Sequence, residues 1–289
     1  MVRIYFIFSP FFVFLTLYFC IFAENFCIFA ENIKIMEEKK YKLTDETIEY
    51  NGHILHRIEA LKDFSDVKKG DLGGWIEKEG NLSQEGNCWV YDEAWAFEDA
   101  IIKDDAKVCN NSLIYGHAIV KRNAKINGAA QIFDYAIVDT NSLVANYAKV
   151  YNNALICGLA IVGDDAQIYG RASVYGYSTI SGRAKIYDYA SIYGDSLIDE
   201  DAQICGNISV YGTASIKGDA KLSKIGDYYN FINIWNNEAD ITWTKSNNMW
   251  DAGFFYGTGE ELIKKAYEKS EKDGINYEKC VKFAEDLNK

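Results

Sequence analysis

The residues of this chain best suited to proton transfer near neutral pH are its three histidines. A general base has to titrate near the working pH, which an imidazole does. His53 and His56 precede the repetitive region 88–222, and His117 lies inside it, in a Tyr-Gly-His-Ala run. Because an exposed histidine at a turn needs no function, we predict no catalytic residue and keep His117 as the one candidate.

Metal ligation is the second chemistry to consider. The seven cysteines include no Cys-x-x-Cys pair, a spacing typical of structural zinc sites. The acidic pairs Asp104-Asp105 and Asp164-Asp165 do not recur along one edge, as a ladder of calcium sites would require. No phosphate loop, dinucleotide fingerprint or Gly-x-Ser-x-Gly motif occurs. We therefore predict no metal site and no cofactor.

The composition is acidic and nearly free of proline. The formal net charge is −12, and the 289 residues include 21 tyrosines and one proline, Pro10. A general nucleic-acid binder needs Lys and Arg to displace counterions from phosphates, so we expect no nucleic-acid partner. Because proline usually punctuates loops, a chain almost without it must make its turns by another repeated device.

A six-residue period runs from Cys88 to Leu222 without an insertion. One position carries a bulky aliphatic residue in every one of the 23 units except the unit of Ala96. Two positions earlier, 17 units carry Ala and four carry Ser. Strand side chains alternate, so both positions point to one side, and the Gly, Asn or Asp that follows suits a corner. This pattern is typical of a solenoid, in which short strands bury their apolar side by stacking on neighbours.

Units such as the one at 190–195, Ala-Ser-Ile-Tyr-Gly-Asp, resemble those of the bacterial hexapeptide-repeat superfamily. The resemblance implies an all-β solenoid, a single-stranded, left-handed, triangular parallel β-helix with three hexapeptides per coil and about seven to eight coils. The superfamily includes acyl- and acetyltransferases, which use a histidine base, and γ-class carbonic anhydrases, which bind zinc through several histidines. Segments 64–76, 86–92, 243–250 and 257–263 look most like YdcK-type bacterial and phage proteins, which are called transferases on fold alone.

With three units to a coil, residues 18 apart stack on one face. On one face an outward residue is aromatic in six successive coils. These residues are Phe97, Tyr115, Phe133, Tyr151, Tyr169 and Tyr187. We predict them to be the ligand or partner surface. Stacking between coils would stiffen the sheet, and the alternative is a platform for sugars or planar ligands.

A second face carries four outward aliphatics in successive coils, Ile101, Ile119, Ile137 and Leu155. Exposed apolar rows of this kind mark interfaces. We predict an oligomer interface, with a trimer as one option, or a cover supplied by the C-terminal segment.

The cysteines inside the repeats do not form a cluster. Cys109, Cys157 and Cys205 are 48 residues apart, which places them on three different faces, so they share neither a metal nor a disulfide. Mostly unpaired cysteines favour a reducing compartment.

The chain is predicted to have four segments, 1–35, 36–87, 88–225 and 226–289. The second is an N-terminal β cap with a hairpin at Asn51-Gly52, and the third is the β-helix. The last combines aromatic-rich strands with a helix-capping box at 258–261. Two amphipathic helices near 259–272 and 276–288, broken at Gly274, should dock on the solenoid.

Residues 1–35 form a hydrophobic leader with two interpretations. The apolar run 1–23 is typical of a secretory signal peptide or a membrane anchor. Alternatively the start is misassigned and translation begins at Met36. The protein is cytoplasmic in the second case and exported or membrane-anchored in the first, and a membrane is a partner only if the 1–23 anchor is retained.

These observations favour a non-catalytic binding or structural protein that self-associates through flat β-helix faces, or that binds an unidentified protein or small ligand. The alternative, implied by the resemblance, is an acyl- or acetyltransferase-like enzyme with acetyl-CoA as cofactor, His117 as base and a site between subunits.

Overall fold

The structure, a computed structural model, describes residues 39–232, 240–253 and 255–287. The predicted leader 1–35 and the alternative start at Met36 lie outside the described residues. The chain divides into two compact units, Met1–Lys40 and Tyr41–Lys289, and the described strands and helices lie in the second. This unit is a parallel β-solenoid of about eight coils with N-terminal strands and a C-terminal two-helix segment.

An antiparallel hairpin begins the N-terminal cover, as the Asn-Gly pair predicts. Strands Tyr41–Tyr50 and His53–Ala60 pair from end to end with one irregularity. Asn51 and Gly52 have φ values of 48° and 85°. A two-residue turn with both φ values positive matches the twist of the flanking strands, and Asn-Gly tolerates it best. Strand Leu72–Ile76 then pairs antiparallel with His53–Ala60.

The covering segment also supplies the start of the first coil. Strand Leu72–Ile76 pairs in parallel with the coil strand Trp95–Ala96, with Trp75 opposite Trp95. After a 3₁₀ turn at Glu79–Asn81, Leu82 pairs in parallel with Ile102. In each pair the two partners are 20 residues apart in the sequence, whereas partners in the regular coils are 18 apart. The solenoid therefore begins before the hexapeptide period does, in a coil that is two residues longer than the others.

Two-residue strands build the three sheets of the regular coils, which we name the aromatic, aliphatic and third faces. The aromatic face contains Trp95–Ala96, Leu113–Ile114, Gln131–Ile132, Lys149–Val150, Gln167–Ile168, Lys185–Ile186, Gln203–Ile204 and Lys221–Leu222. The aliphatic face contains Ile101–Ile102, Ile119–Val120, Ile137–Val138, Leu155–Ile156, Ser173–Val174, Ser191–Ile192 and Ser209–Val210. The third face contains Trp89–Val90, Lys107–Val108, Lys125–Ile126, Leu143–Val144, Ile161–Val162, Thr179–Ile180, Leu197–Ile198 and Ser215–Ile216.

The interior of the solenoid consists of the two residue rows that the period predicts. Ala118 and Val120, for example, are both fully buried, and the same holds along the repeat. Each strand also hydrogen-bonds the next coil, as where the Leu155 amide donates to the Ala172 carbonyl at 2.9 Å. A coil thus satisfies its apolar side chains and its backbone groups only through its neighbours, which is why both ends need covers.

Side chains at the corners reinforce this coil-to-coil bonding. The second corner residue has positive φ in most coils, and it is usually Gly, Asn or Asp. Where it is acidic, its carboxylate accepts from the amide one coil further on, as Asp134 Oδ2 does from Asn152 N at 3.1 Å. Where it is Gly116, with φ of 69°, an added Cβ would lie 2.7 Å from Asp134 N. The corner therefore selects residues that tolerate the left-handed conformation and a close neighbouring backbone.

The C-terminal segment opens with a four-stranded antiparallel sheet. Its strands are Tyr228–Phe231, Ile241–Thr244, Met249–Asp251 and Tyr256–Gly257. It meets the last coil through polar contacts, in which Ser215 N donates to Thr242 Oγ1 at 2.9 Å and Lys217 Nζ lies 2.6 Å from Asp251 Oδ2. The strand-rich cover predicted for this end of the solenoid is thus present.

Two helices follow, at Gly259–Lys269 and Glu271–Leu287. The capping box is confirmed, with Thr258 Oγ1 accepting from Glu261 N and the Glu261 carboxylate accepting from Thr258 N. Neither helix of the described residues is long and apolar enough to cross a membrane.

Two details of these helices differ from the sequence-based expectation. The break lies at Ser270, and Gly274 lies inside the second helix, where the Tyr267 ring packs against it. The helices also pack on the C-terminal sheet instead of on the coils. Leu262 and Val281 share a buried cluster with Trp243, separate from the interior of the solenoid.

Candidate functional site

The six aromatic residues predicted to line one corner of the aromatic face form a continuous stack, which we call the aromatic ladder. Neighbouring ring centroids are 4.9 to 5.1 Å apart and their planes lie within 8° of parallel. Phe97 is buried, and the five rings from Tyr115 to Tyr187 are half-buried. This geometry is offset stacking along the solenoid axis, which stabilises neighbouring coils against one another.

The N-terminal end of the aromatic ladder is covered by the hairpin. At the N-terminal end, Tyr50 meets Phe97 edge to face at 6.0 Å and the His53 ring lies 5.4 Å from Phe97. At the other end, a hydrogen-bonding contact with Cys205, together with partial burial, raises the pKa of Tyr187 to about 12. From Phe97 to Tyr169 the ladder therefore presents ring edges to the solvent.

This orientation bears on the two interpretations of the ladder. A sugar or a planar ligand stacks on the face of an aromatic ring, and from Tyr115 to Tyr169 each face is occupied by the next ring. Burial raises the pKa of Tyr151 and of Tyr169, so these phenols stay neutral near physiological pH. The arrangement suits cross-coil stiffening and a neutral, amphipathic surface, with alternating Gln and Lys side chains on the neighbouring strand positions.

The aliphatic row Ile101, Ile119, Ile137 and Leu155 lies in direct register on the aliphatic face. Each member is paired with the next across adjacent parallel strands. Ile101 is 40% exposed and the other three are half-buried. The described C-terminal strands contact Ser209, Ser215 and Lys221, in the last coils. The structure thus places the described part of the C-terminal segment at the opposite end of the solenoid from Ile101.

An ion-pair cluster borders the aliphatic row. The Asp139 carboxylate is nearly buried and lies 3.1 Å from Arg122 and 3.4 Å from Lys121. Asp139 Oδ1 also accepts from Thr140 N. The row therefore has an ion-paired, hydrogen-bonded edge beside it.

His117 stands on a corner with half of its side chain exposed. Its Nδ1 lies 3.5 Å from Asp99 Oδ2, and its ring stacks on Tyr135 at 4.7 Å. Asp99 also pairs with Lys78 at 2.7 Å. A carboxylate beside an imidazole can orient it for proton transfer, but His117 lies on an outward corner and not inside a cleft.

In the part of the chain that the structure describes, no group of three or more His, Cys, Asp or Glu side chains could hold a metal ion. Cys109, Cys157 and Cys205 follow strands of the third, aliphatic and aromatic faces respectively, and all three are free. The expected separation of these cysteines on three faces is confirmed.

Two further features lie at the corners. Tyr175, Tyr193 and Tyr211 form a second stack, with centroids 5.1 and 5.5 Å apart. On the corner after the aromatic ladder, an open groove lies between Tyr135 and Tyr189. The signal for the groove was present in the sequence, because these two tyrosines are 54 residues apart, the length of three coils.

In comparisons with known proteins, no family model matches this chain and no curated protein matches it. The membership of the hexapeptide-repeat superfamily that the repeat implies therefore remains a prediction.

Proposed function

We propose that this chain is a non-catalytic repeat scaffold that self-associates through its aliphatic face. The observation that carries the proposal is the aliphatic row, four solvent-accessible side chains in register on a flat sheet. Contiguous apolar patches on a protein surface mark places where a partner binds.

The aliphatic row can be covered by the same row of a second copy of this chain. A two-fold interface pairs residue i of one copy with residue j of the other and j with i. With an axis between Ile119 and Ile137, the row matches itself, since Ile101 then meets Leu155 of the second copy. The four members span about 15 Å at the spacing of neighbouring strands. A stable interface of about 800 Å² per partner must therefore extend over the neighbouring serines and the Asp139 cluster.

The test is the oligomeric state of the full chain, measured by sedimentation equilibrium. We expect an oligomer, a dimer with the two-fold arrangement or a trimer under three-fold symmetry. Replacing two central members, I119K and I137K, should give a monomer because each copy would bury two ammonium groups in the contact. The matched control is L197K, an aliphatic-to-lysine change at the same outward position of the third face, which should leave the oligomer intact.

A monomeric wild-type chain at high micromolar concentration contradicts the proposal, as does an oligomer that survives both lysines. Far-UV circular dichroism on each variant separates lost association from lost folding. The three changes are all at outward positions, so the solenoid should keep its strand signal.

A binding measurement distinguishes the scaffold proposal from the enzyme alternative. An acyltransferase of this architecture would bind acetyl-CoA, and His117 with its Asp99 neighbour would act as base. Titration calorimetry of acetyl-CoA into the full chain is expected to give no heat of binding. Saturable binding together with acyl transfer abolished by H117A would replace the scaffold proposal with the enzyme.

A further inference from the structure

The corner that follows the aromatic ladder contains a groove with aromatic walls. The third corner residues of four successive coils are Tyr135, Asn153, Arg171 and Tyr189, which stack one above the next. Tyr135 and Tyr189 are 59% and 58% exposed. Between them the short side chain of Asn153 leaves a gap, and the open groove has a volume of about 460 Å³. Sites for small molecules typically fall at about 300–1,000 Å³.

One wall of this groove is Tyr135, supported from outside by His117, and the facing wall is Arg171, supported by Tyr189 behind it. His117 stacks on one face of Tyr135 at 4.7 Å and 23°, so the opposite face of Tyr135 points along the solenoid toward Asn153. The Arg171 guanidinium lies over the Tyr189 ring at 5.7 Å. At about 4.8 Å per coil, Tyr135 and Arg171 are about 10 Å apart. That gap accommodates one saturated ring in van der Waals contact of about 4 Å with each wall.

Gly170 keeps the floor of the groove low. Its φ is 69°, and an added Cβ would lie 2.8 Å from Asp188 N. The neighbouring floor residue, Asn152, is fixed because its amide and its side-chain Nδ2 both donate to Asp134 Oδ2, at 3.1 and 2.8 Å. The floor is therefore set by the backbone register of the coils and does not depend on a ligand.

Several polar atoms around the groove have no partner within the described residues. Asp134 and Asp188 each use one carboxylate oxygen, Oδ2, for an amide of the next coil. Their Oδ1 atoms, the Asn153 carboxamide and the Arg171 guanidinium make no hydrogen bond or ion pair within residues 39–232, 240–253 and 255–287. These groups supply both donors and acceptors in planar, bidentate arrangements.

We propose that this groove binds a neutral pyranose sugar, with the ring stacked on Tyr135. The positive C–H face of a pyranose suits the negative face of an aromatic ring. One hydroxyl can donate to Asp134, which precedes Tyr135 in the chain, and another can accept from Arg171, whereas Asp188 lies about 14 Å from Asp134 and adds negative charge without touching the ring. Two carboxylates against one guanidinium repel an anionic ligand such as a uronate or a nucleotide. The site is distinct from the aliphatic face, and the proposal does not depend on self-association.

Saturation-transfer NMR of the full chain with millimolar monosaccharides tests this proposal. The probes are glucose, galactose, mannose and N-acetylglucosamine, with glucuronate as the acidic comparison. We expect transfer to at least one neutral sugar, strongest at ring C–H protons, and none to glucuronate. Y135A should weaken the affinity for that sugar about tenfold, and R171Q should weaken it several-fold. Y177A removes an equally exposed tyrosine from another corner and should change nothing.

Absence of transfer to every neutral sugar overturns the proposal. So does binding that is limited to glucuronate, or binding that Y135A leaves unchanged. Because the replaced side chains are exposed, circular dichroism should show the same fold in all variants. Sedimentation of the same samples reports on self-association independently, so failure of one proposal is distinguishable from failure of the other.

Discussion

The rings of Tyr151 and Tyr169 lie 4.9 Å apart between centroids, with planes inclined by 7°. Their strands are hydrogen-bonded neighbours, with Lys149 opposite Gln167. Neighbouring strands are spaced at about 4.8 Å, so the rise of the solenoid itself sets the ring spacing. An aromatic residue repeated at this corner position must stack, and the stack in turn reports that the register of the coils is intact.

The aromatic ladder should therefore contribute to stability. Y151A removes a ring that stacks on Phe133 and on Tyr169, and we expect a loss of about 1–3 kcal/mol. Y151F keeps the ring and should be nearly neutral, since Phe already occupies two positions of the ladder. Thermal unfolding followed by circular dichroism measures both. The control Y147A removes a tyrosine that is 65% exposed on another corner; a loss as large as that of Y151A would contradict a stabilising role for stacking.

The clamp between the N-terminal hairpin and the first coil should depend on pH. His53 Nδ1 lies 2.9 Å from Glu77 Oε1, and this hydrogen bond raises the pKa of His53 above its ordinary 6.5. Burial raises the pKa of Glu77, but the hydrogen bonds from His53 and the Glu98 amide lower it more, to a net value below 4.5. The folded state therefore holds the His53 proton more tightly and the Glu77 proton less tightly than the unfolded state does.

The sign of each contribution follows from linkage. The His53 contribution is complete below pH 6.5 and is lost as the pH rises through the higher folded pKa. The Glu77 contribution is present above pH 4.5 and is lost as the pH falls through the lower folded pKa. Thermal midpoints measured across this range should be highest between the two values. H53Q should remove the decline on the alkaline side, and H117Q should preserve it; identical profiles for wild type and H53Q would rule the clamp out.

Gly116 should be sensitive to substitution because of its backbone conformation. Its φ is 69°, and a Cβ would lie 2.7 Å from Asp134 N, so G116A should cost about 1–3 kcal/mol. G116N should cost less, since Asn tolerates this φ and its carbonyl can accept from the next coil, as Asn110 does from Gly128 N. Urea unfolding gives the ranking. G80A, where a Cβ meets nothing within 4 Å, is the control; equal losses for Ala and Asn at 116 would contradict the corner-bonding account.

Gly274 should reverse the usual ranking of Gly and Ala in helices. Ala inside a helix is normally better than Gly by about 1 kcal/mol. Here a Cβ would lie 2.3 Å from the Tyr267 ring, which would have to move and lose its hydrogen bond with Glu278 at 3.0 Å. G274A should therefore destabilise the helix pair, whereas in the Y267A background the same change should stabilise it. Thermal unfolding of this double-mutant cycle decides the point, and additive effects would count against direct packing.

Much of the solenoid follows from its period. An uninterrupted six-residue repeat leaves one register available, so the buried rows, the three faces and the alignment of residues 18 apart could all be predicted. The Asn51-Gly52 hairpin and the Thr258 capping box follow from local rules in the same way. Each of these features depends on contacts within one unit or between equivalent positions of identical units.

The structural features that the sequence did not predict depend on contacts between residues that are not equivalent positions of the repeat. The first coil is longer by two residues because the strand ending at Ile76 comes from the covering segment and not from the repeat. The last two helices pack on Trp243 and its neighbours, in a buried cluster separate from the interior of the coils. Gly274 lies inside the second helix, and its missing side chain leaves the space that the Tyr267 ring occupies.

The two candidate surfaces were also predicted in part from the sequence and in part decided by the tertiary structure. The sequence by itself determined that aromatic residues align at one corner and aliphatic residues on one face, since a period of 18 leaves no freedom in which residues are neighbours. Only the tertiary structure decided which way the rings face. In the aromatic ladder each ring covers the next, whereas Tyr135 keeps one face open because Asn153 is too short to reach it. That orientation depends on side-chain volume in the adjacent coil, a contact between residues of different type that no periodicity specifies.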